Sequence, residues 1–427
     1  MSNIPGKVYL VGGAVRDKLL DLPIVEKDWL VLECSPKEMK AVGFKQVGKD
    51  FPVFLHPETK EEYALARTER KVSTGHLGFE VHADKGVTLE QDLSRRDLTI
   101  NAIAEASDGE LLDPYGGVTD LENRTLRHVT GAFAEDPLRV LRVARFAARF
   151  HHLGFSVAPE TLALMADISA SGELDTLSAE RIWRETEKAL TTKSPRVFFE
   201  TLRQCHGLAQ IFPEIEALFG VEQRADYHPE IDTGLHTMLA LDQICTQTDD
   251  TRMRFATLVH DLGKATTPRE FLPSHPGHEE RGADLVFALC DRLKVPNEYR
   301  ELAVRVAGLH LKCHRALELK PSTLAKLLSD LGAWRNDYSL NAFVNCCMAD
   351  ARGRTGLENR EYPQYDYLLD CAESAGSVDV SLLRKSGLEG KELGDAIYQA
   401  RIEVLKKVKS KYAQIDERKF SRPNQSS

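Results

Sequence analysis

Apolar and polar positions change their period part-way along the chain, and the change divides it. Through the first 130 or so residues, apolar runs of strand length are cut by glycines and charged clusters. KVYLV (residues 7–11) is apolar and β-prone, a Gly-Gly pair breaks it, and AVRDKLL takes up helical spacing. DWLVLE (28–33) predicts a second strand, and the alternating EEYALART a third. Residues 70–88 are polar and glycine-bearing and predict a mobile loop. Helix is expected to resume over DLSRRDLTINAIAEA (92–106), and ELLDPYGG (110–117) predicts a strand entering a turn. From about residue 134 onward helical periodicity dominates, with short breaks near Gly172, Pro195, Pro213, Pro229, Pro273, Pro296 and Pro321. The last residues, SRPNQSS, are expected to be disordered. Strands mixed with helices make an α/β or α+β head, and an all-helical remainder follows it.

The length of 427 residues suggests two to four domains and ample core. The net charge of −9 argues against bulk polycationic binding of nucleic acid, though not against a local basic face. Eight cysteines occur without a CxxC pair, a usage expected of reduced, buried thiols in a cytoplasmic protein. The N-terminal segment MSNIPGKVYLVGG has no apolar region of signal-peptide type. No apolar run approaches the roughly 18 residues of a membrane helix, so no membrane partner is expected.

Chemistry concentrates first in LVGGAVRD. Glycines allow close backbone approach to a phosphate, and Arg16, one turn into the following helix, can add a charge-assisted contact. Gly12 and Gly13 alone favour an ordinary tight turn, since neither GxxxxGK[ST] nor GxGxxG is present. EKDW adds a second feature: Glu26 and Asp28, two residues apart at a strand start, share a face. Two such carboxylates repel unless a cation lies between them, and Mg²⁺ takes oxygen ligands of this kind together with substrate phosphates. The combination resembles the DNA polymerase β-like nucleotidyltransferases. There a third carboxylate comes from another strand, for which Glu62 is the candidate.

The resemblance extends along the chain. YLVGGAVRD, EKDW, ARTER, RRDLTINA, DPYGG and EDPLRVLRVARF stand in the order and near the spacing found in bacterial CCA-adding enzymes, the tRNA nucleotidyltransferases. Glu26 stands where many members have Asp, which keeps the charge and lengthens the arm. The match covers nearly the whole chain in the family's long, HD-containing form. It implies an α+β fold: a polymerase β-like nucleotidyltransferase head with a small mixed sheet (1–133), an all-α neck or tRNA-binding region (134–225), an all-α HD domain (226–370) and a helical tail (371–427). It also implies tRNA, ATP and CTP as partners, with Mg²⁺ on Glu26 and Asp28, for a protein acting as monomer or homodimer.

AEDPLRVLRVARFAARF (134–150) carries an acid and then a row of arginines. At 100° per residue from Arg139, Arg142, Arg149 and Arg145 fall at about 300°, 280° and 240°, and Asp136 at about 60°. Val140, Ala144, Ala147 and Ala148 form the opposite, apolar face. An amphipathic helix with a solvated face would look similar, but the motif matches the family's nucleotide-selecting element. Cytosine and adenine each present an amino donor beside a ring-nitrogen acceptor; uracil and guanine reverse that order. A carboxylate (Asp136) with a guanidinium (Arg139) therefore accepts C and A and opposes U and G. Arg142 and Arg145 would then serve triphosphate or tRNA phosphates. In RRDLTINA, Arg96, Asp97 and Asn101 are expected on one side of a helix, where the resemblance implies ribose and nucleotide contacts; capping and salt-bridge roles fit the residues equally.

Seven of the 14 histidines lie between His228 and His314. FATLVHDLGK places His260 and Asp261 at the end of an apolar helix, about one helix after His236. Adjacent residues cannot point the same way along a helix unless its end bends them toward one ion. A mixed N/O set suits a divalent transition metal or Mg²⁺. The string resembles the HD phosphohydrolases, whose H…HD…D pattern His236, His260 and Asp261 begin. Nickel(II) is one candidate ion. Asp350 is the expected fourth ligand, with His310 as a rival or as the partner of a second metal. His228, His275 and His314 read as surface or core-satisfied histidines.

The resemblance implies template-independent addition and repair of the tRNA 3′ CCA end, with a second, phosphohydrolase activity on 2′,3′-cyclic or 2′-phosphates. Three alternatives stay open: a poly(A)-adding enzyme, a phosphohydrolase with a relic head, and a non-catalytic tRNA-binding protein.

Overall fold

The computed structural model describes residues 4–47, 53–71, 79–82, 85–335, 337–385 and 387–412. The chain packs as two compact units, residues 1–211 and 212–427.

The first unit is built on a seven-stranded mixed sheet. Its strands are β1 (Lys7–Val11), β2 (Asp28–Leu32), β3 (Lys45–Val47), β4 (Val53–Leu55), β5 (Glu62–Leu65), β8 (Ala104–Ala106) and β9 (Leu111–Leu112). The order is β3-β4-β5-β2-β1-β8-β9; β2 and β5 run parallel and every other neighbouring pair antiparallel. Both faces are covered. Leu30 and Leu32 pack with Val11, Leu93 and Ala104 on one side, while Val31 between them packs with Met39, Phe44, Phe54 and Tyr63 on the other. That is why DWLVL reads as a continuous apolar run rather than an alternating one.

Helices α1 (Gly13–Leu19), α2 (Pro36–Ala41), α3 (Leu89–Ser94) and α4 (Gly117–Glu122) flank the strands, and β6 (Thr68–Lys71) and β7 (Phe79–His82) form a separate antiparallel hairpin. Where a loop was expected over 70–88 there are thus strand residues; 72–78 and 83–84 lie outside the described residues. The expected helix over 92–106 is a second difference. α3 ends at Ser94, a 3₁₀ turn occupies Thr99–Asn101, and Ala104–Ala106 is strand β8. Polar side chains compete for the backbone here: the Leu98 N–H donates to Asp97 Oδ1, and Thr99 Oγ1 donates to Asp120.

The rest of this unit is helical apart from a short parallel pair, β10 (Thr125–Leu126) with β11 (Ser156–Val157). The arginine helix is α5 (Leu138–Phe150). As its wheel requires, Val140, Ala144, Ala147 and Ala148 are buried. It packs against α7 (Ala179–Leu190) and α8 (Arg196–Gln204), which follow α6 (Pro159–Ala170) and precede α9 (Gly207–Ile211).

The second unit begins with α10 (Pro213–Glu216). Its centre is four helices packed around one another, α11 (Thr233–Gln247), α12 (Thr251–Leu258), α14 (Asn297–His314) and α16 (Asp337–Arg352), with α13 (His278–Arg292) packed on α14. α15 (Pro321–Asp330), α17 (Gln364–Gly376), α18 (Val380–Lys385) and α19 (Gly390–Tyr412) complete it. SRPNQSS lies outside the described residues. All eight cysteines are free. Among the described residues no helix is long and apolar enough to cross a membrane.

Candidate active sites

The first site forms where β1 ends. Gly12 adopts φ +71°, and a Cβ there would meet the Arg96 guanidinium at 2.6 Å, so glycine is needed both for the turn and for the arginine beside it. Arg16, on α1, is buried. It donates to Asp17 Oδ1 (2.8 Å) and to Asn101 Oδ1 (2.5 Å), and lies over the Phe146 and Phe150 rings.

These residues line a cavity of about 540 Å³. Its wall carries nine arginines (Arg16, Arg67, Arg95, Arg96, Arg139, Arg142, Arg145, Arg149 and Arg181) against three acids, Asp28, Asp97 and Asp136. A chain of net charge −9 thus concentrates positive charge at one concave place, suited to a polyphosphate. Gly12, Gly13 and Asn101 complete the set of predicted residues found here. Glu26, exposed just before β2, is not among the lining residues.

Asp28 opens β2. In the parallel pairing its register partner on β5 is Glu62, and both residues line a second cavity of about 250 Å³. The Asp28 side chain remains reachable by solvent, yet its partly enclosed position raises its carboxyl above the usual value. Arg96 opposes that rise and the nearby charge of Glu26 adds to it. Acids brought together in this way fit a hard divalent cation.

Arg96, Asp97 and Asn101 do come together, through the turn rather than a helix. Asn101 Nδ2 donates to Asp97 Oδ1 (2.9 Å), and Arg142 grips Asp97 Oδ2 through Nε (2.7 Å) and Nη2 (2.6 Å). Burial alone would raise the Asp97 carboxyl; Arg142 and Asn101 outweigh it and hold the group well below the carboxylate range. Arg139 donates to the carbonyls of Ala132 and Arg95 (2.6 Å each). Asp136 accepts from the Leu138 N–H (3.1 Å) and from Arg181 on α7. Arg145 is almost wholly buried, with Nε 2.5 Å from Glu185 Oε2. Arg181 and Glu185 carried no signal in the sequence, being 45 and 40 positions from their partners.

The second site forms in the helical unit. α12 stops at Leu258, so His260 and Asp261 sit in the turn before a 3₁₀ segment and both aim inward. A Cβ on Gly263 would collide with the His278 carbonyl, so the glycine of HDLGK allows this turn to seat against the start of α13. His236 comes from α11 and Asp350 from the end of α16. His236 Nε2 lies 3.0 Å from Asp350 Oδ1 and 3.9 Å from Asp261 Oδ2; His260 Nε2 lies 3.2 Å from Asp261 Oδ2 and 3.8 Å from Asp350 Oδ1. The four expected ligand residues therefore converge.

Their second nitrogens are tied down. His260 Nδ1 donates to the Thr257 carbonyl (2.7 Å), while His236 Nδ1 lies near the Gly353 carbonyl (3.1 Å) and Glu230 Oε1 (3.0 Å). His228 holds the same Glu230 oxygen at 3.1 Å, and His314 holds Asp350 Oδ2 at 2.6 Å while its Nδ1 meets the Tyr362 hydroxyl. His228 and His314 are satisfied, as expected, but by carboxylates that orient or form the cluster; Glu230 and Tyr362 were not anticipated. Burial would lower His260, yet Asp261 and Asp350 raise it, and burial would raise both acids, yet their basic neighbours hold them far below the usual range. Positive charge is favoured at this point, as a bound cation would provide.

The fold and sites define a nucleotidyltransferase head joined through helices to an HD domain. Residues 8–127 match the Poly A polymerase head domain, 154–219 the probable RNA and SrmB-binding site of polymerase A, and 227–334 the HD domain. The sequence is 55% identical over 404 residues to the multifunctional CCA protein of Teredinibacter turnerae, covering 95% of this chain and 98% of the relative. It is 56% identical to that of Thioalkalivibrio sulfidiphilus, covering 95% and 99%. The chain belongs to the multifunctional CCA protein family. A Thermotoga maritima CCA-adding enzyme complexed with tRNA shares the fold, with a TM-score of 0.62 at 18% identity over 95% of this chain and 91% of the other.

Proposed function

We propose that this protein builds and repairs the 3′-terminal CCA of tRNA from CTP and ATP without a nucleic-acid template, and that its second unit is a metal-dependent phosphohydrolase. The observation that carries the first part is the arginine-lined cavity joined, through Asp28, to the β2–β5 carboxylates. The cavity arginines hold the triphosphate, and the Gly12–Gly13 turn leaves room for it. Glu26 and Asp28, with Glu62 in register beside Asp28, are the ligands for Mg²⁺. When bound, that ion would favour ionisation of the tRNA 3′-hydroxyl and steady the departing pyrophosphate. Asp136 accepts from the amino group of C or A while Arg139 donates to the ring nitrogen. Arg96, Asp97 and Asn101 position the nucleotide, with Asp97 fixing Arg142.

In the second unit, His236, His260, Asp261 and Asp350 hold a divalent transition metal, for which nickel(II) suits the N/O set. The substrates are phosphate esters of damaged tRNA ends: 2′,3′-cyclic phosphates, 2′-nucleotides and simple monoesters. Partners are tRNA, ATP and CTP, and the protein works in the cytoplasm as monomer or homodimer.

The match to a Poly A polymerase head domain favours poly(A) addition as the second reading. One assay separates the two. tRNA lacking its last three nucleotides is given all four NTPs: addition of C, C and A supports the proposal, a long A tract supports the rival, and unchanged length removes both.

A further inference from the structure

Two buried donors beside the histidine–aspartate cluster have no hydrogen-bond partner: Gln223 Nε2 and Arg354 Nε. A cation can take up an orphaned carboxylate oxygen such as Asp261 Oδ1, but it cannot serve a donor. Both residues lie outside 227–334, the part that matches the HD domain, one on each side of it.

Gln223 is 2% exposed and firmly placed. Its backbone N–H donates to the Ile231 carbonyl (2.8 Å), and the carbonyl of Glu222 before it accepts from His275 Nε2 (3.1 Å). Its Oε1 lies 2.9 Å from Lys264 Nζ, which stands 2.6 Å from Asp261 Oδ2. An ammonium only donates, so the amide oxygen must face Lys264, and the NH₂ is left without an acceptor. A buried amide in that state is costly, and a bound acceptor would recover the loss. Arg354, four residues after Asp350, makes only long contacts. Its Nη2 is 3.4 Å from Asp350 Oδ1 and its Nη1 3.3 Å from the Tyr227 carbonyl. His228, next in the chain, feels the charges of both Arg354 and Lys264, so the two donors flank one segment.

Charge points the same way. Glu230, Asp261 and Asp350 are the acids against the ligand histidines, and Lys264, Arg354 and Arg360 are the cations beside those acids. The two sets balance. A divalent ion on the cluster would leave it two charges positive, which a phosphate monoester dianion cancels. A water could satisfy the same donors but would leave that charge in place.

We propose that Gln223 and Arg354 bind the phosphate group in the second site, donating from Nε2 and Nε to the non-bridging oxygens of the ester to be hydrolysed. This rests on the phosphohydrolase reading and deepens it by naming side chains that recognise the substrate.

The test titrates inorganic phosphate calorimetrically into full-length protein loaded with Mn²⁺, with CTP present to fill the arginine-lined cavity of the head. The heat belonging to the second site is the part that His236→Ala removes. Gln223→Met and Arg354→Met should each weaken that binding roughly 10- to 100-fold, the scale of a hydrogen bond to a charged group, with Mn²⁺ affinity unchanged. Gln223→Glu keeps the shape and the oxygen toward Lys264 but meets phosphate with a second oxygen. It should also bind weakly, and it decides the question if Gln223→Met does not fold. Arg354→Lys, which keeps the charge and lacks the Nε donor, does so for Arg354. Phosphate binding at the parent affinity in the folded variants would overturn the proposal and leave the phosphohydrolase reading standing. Mn²⁺ affinity that falls in step with phosphate affinity would make the two residues supports of the metal ligands and overturn it as well. A parent protein with no phosphate heat dependent on His236 would overturn the reading together with the proposal.

Discussion

Arg181 of α7 closes on both carboxylate oxygens of Asp136, at 3.1 and 2.9 Å, across 45 positions of sequence. The residue assigned to read the base is therefore held before any base arrives. Asp136→Ala together with Arg139→Ala is expected to admit UTP and GTP. Each bidentate partner is worth about 1–3 kcal/mol, or roughly 5- to 150-fold of discrimination. Arg181→Ala should slow addition and keep the preference for C and A, because the reader itself remains. The measurement is kcat/KM for each NTP on tRNA lacking its last three nucleotides. A double variant that keeps full preference, however slow, would remove α5 as the template.

Arg145 and Glu185 make a contrasting pair, nearly sealed from solvent. Arg145→Ala leaves a buried carboxylate alone and should cost about 3–5 kcal/mol of stability, whereas Arg145→Met with Glu185→Leu should be close to neutral. Urea unfolding of the three proteins checks this. A loss below about 1 kcal/mol in the single variant would return Arg145 to a phosphate-binding role alone.

The two sites use no residue in common and lie in different compact units. Glu26→Gln or Asp28→Asn should reduce nucleotide addition about 100-fold or more, since losing a group behind a metal ligand already costs roughly 10–100-fold, and leave phosphatase activity intact. His260→Ala or Asp261→Ala should do the reverse. Loss of both activities from any one of these folded variants would end the two-site description.

Acid should destabilise the metal-free protein. Burial holds His228 near about 2, His275 near about 4 and His310 near about 3. An unfolded histidine titrates near about 6.5. With folded values depressed, the stability from these neutral rings is complete above about pH 6.5 and is lost as pH falls toward the folded values. His260, raised by Asp261 and Asp350, works in the opposite sense but is one group against three. The loss should be on the order of 1 kcal/mol per pH unit for each of His228 and His310, and less for the more open His275. Thermal melts in EDTA between pH 8 and pH 5 read it directly; a Tm that is flat or rises on acidification rules the explanation out.

Short-range features were legible from sequence. The Gly-Gly turn, Asp28 at the start of β2 and the His260-Asp261 turn each depend on neighbours a few residues apart, and the apolar side of α5 followed from its period. What was hidden depended on distance. Glu185 and Arg181 reach α5 from another helix, and Glu62, a candidate only through the family resemblance, reaches Asp28 through strand register. RRDLTINA was misread as helix because its period resembles one, while Asp97 and Thr99 divert the backbone and side-chain bonds that a helix would need. His310 and His314 did leave a trace: four apart, they share one face of α14, their rings meet edge to face, and they reach Asp261 and Asp350 respectively.

Every cation lining the large cavity is a guanidinium. Lysine ammonium groups can surrender a proton when crowded, but arginine does not deprotonate in proteins. Nine like charges packed together would press lysines toward neutrality; arginines must keep their charge. The cationic side of the attraction for a triphosphate is therefore set independently of pH wherever the fold survives, and ionic strength becomes the variable that tunes it.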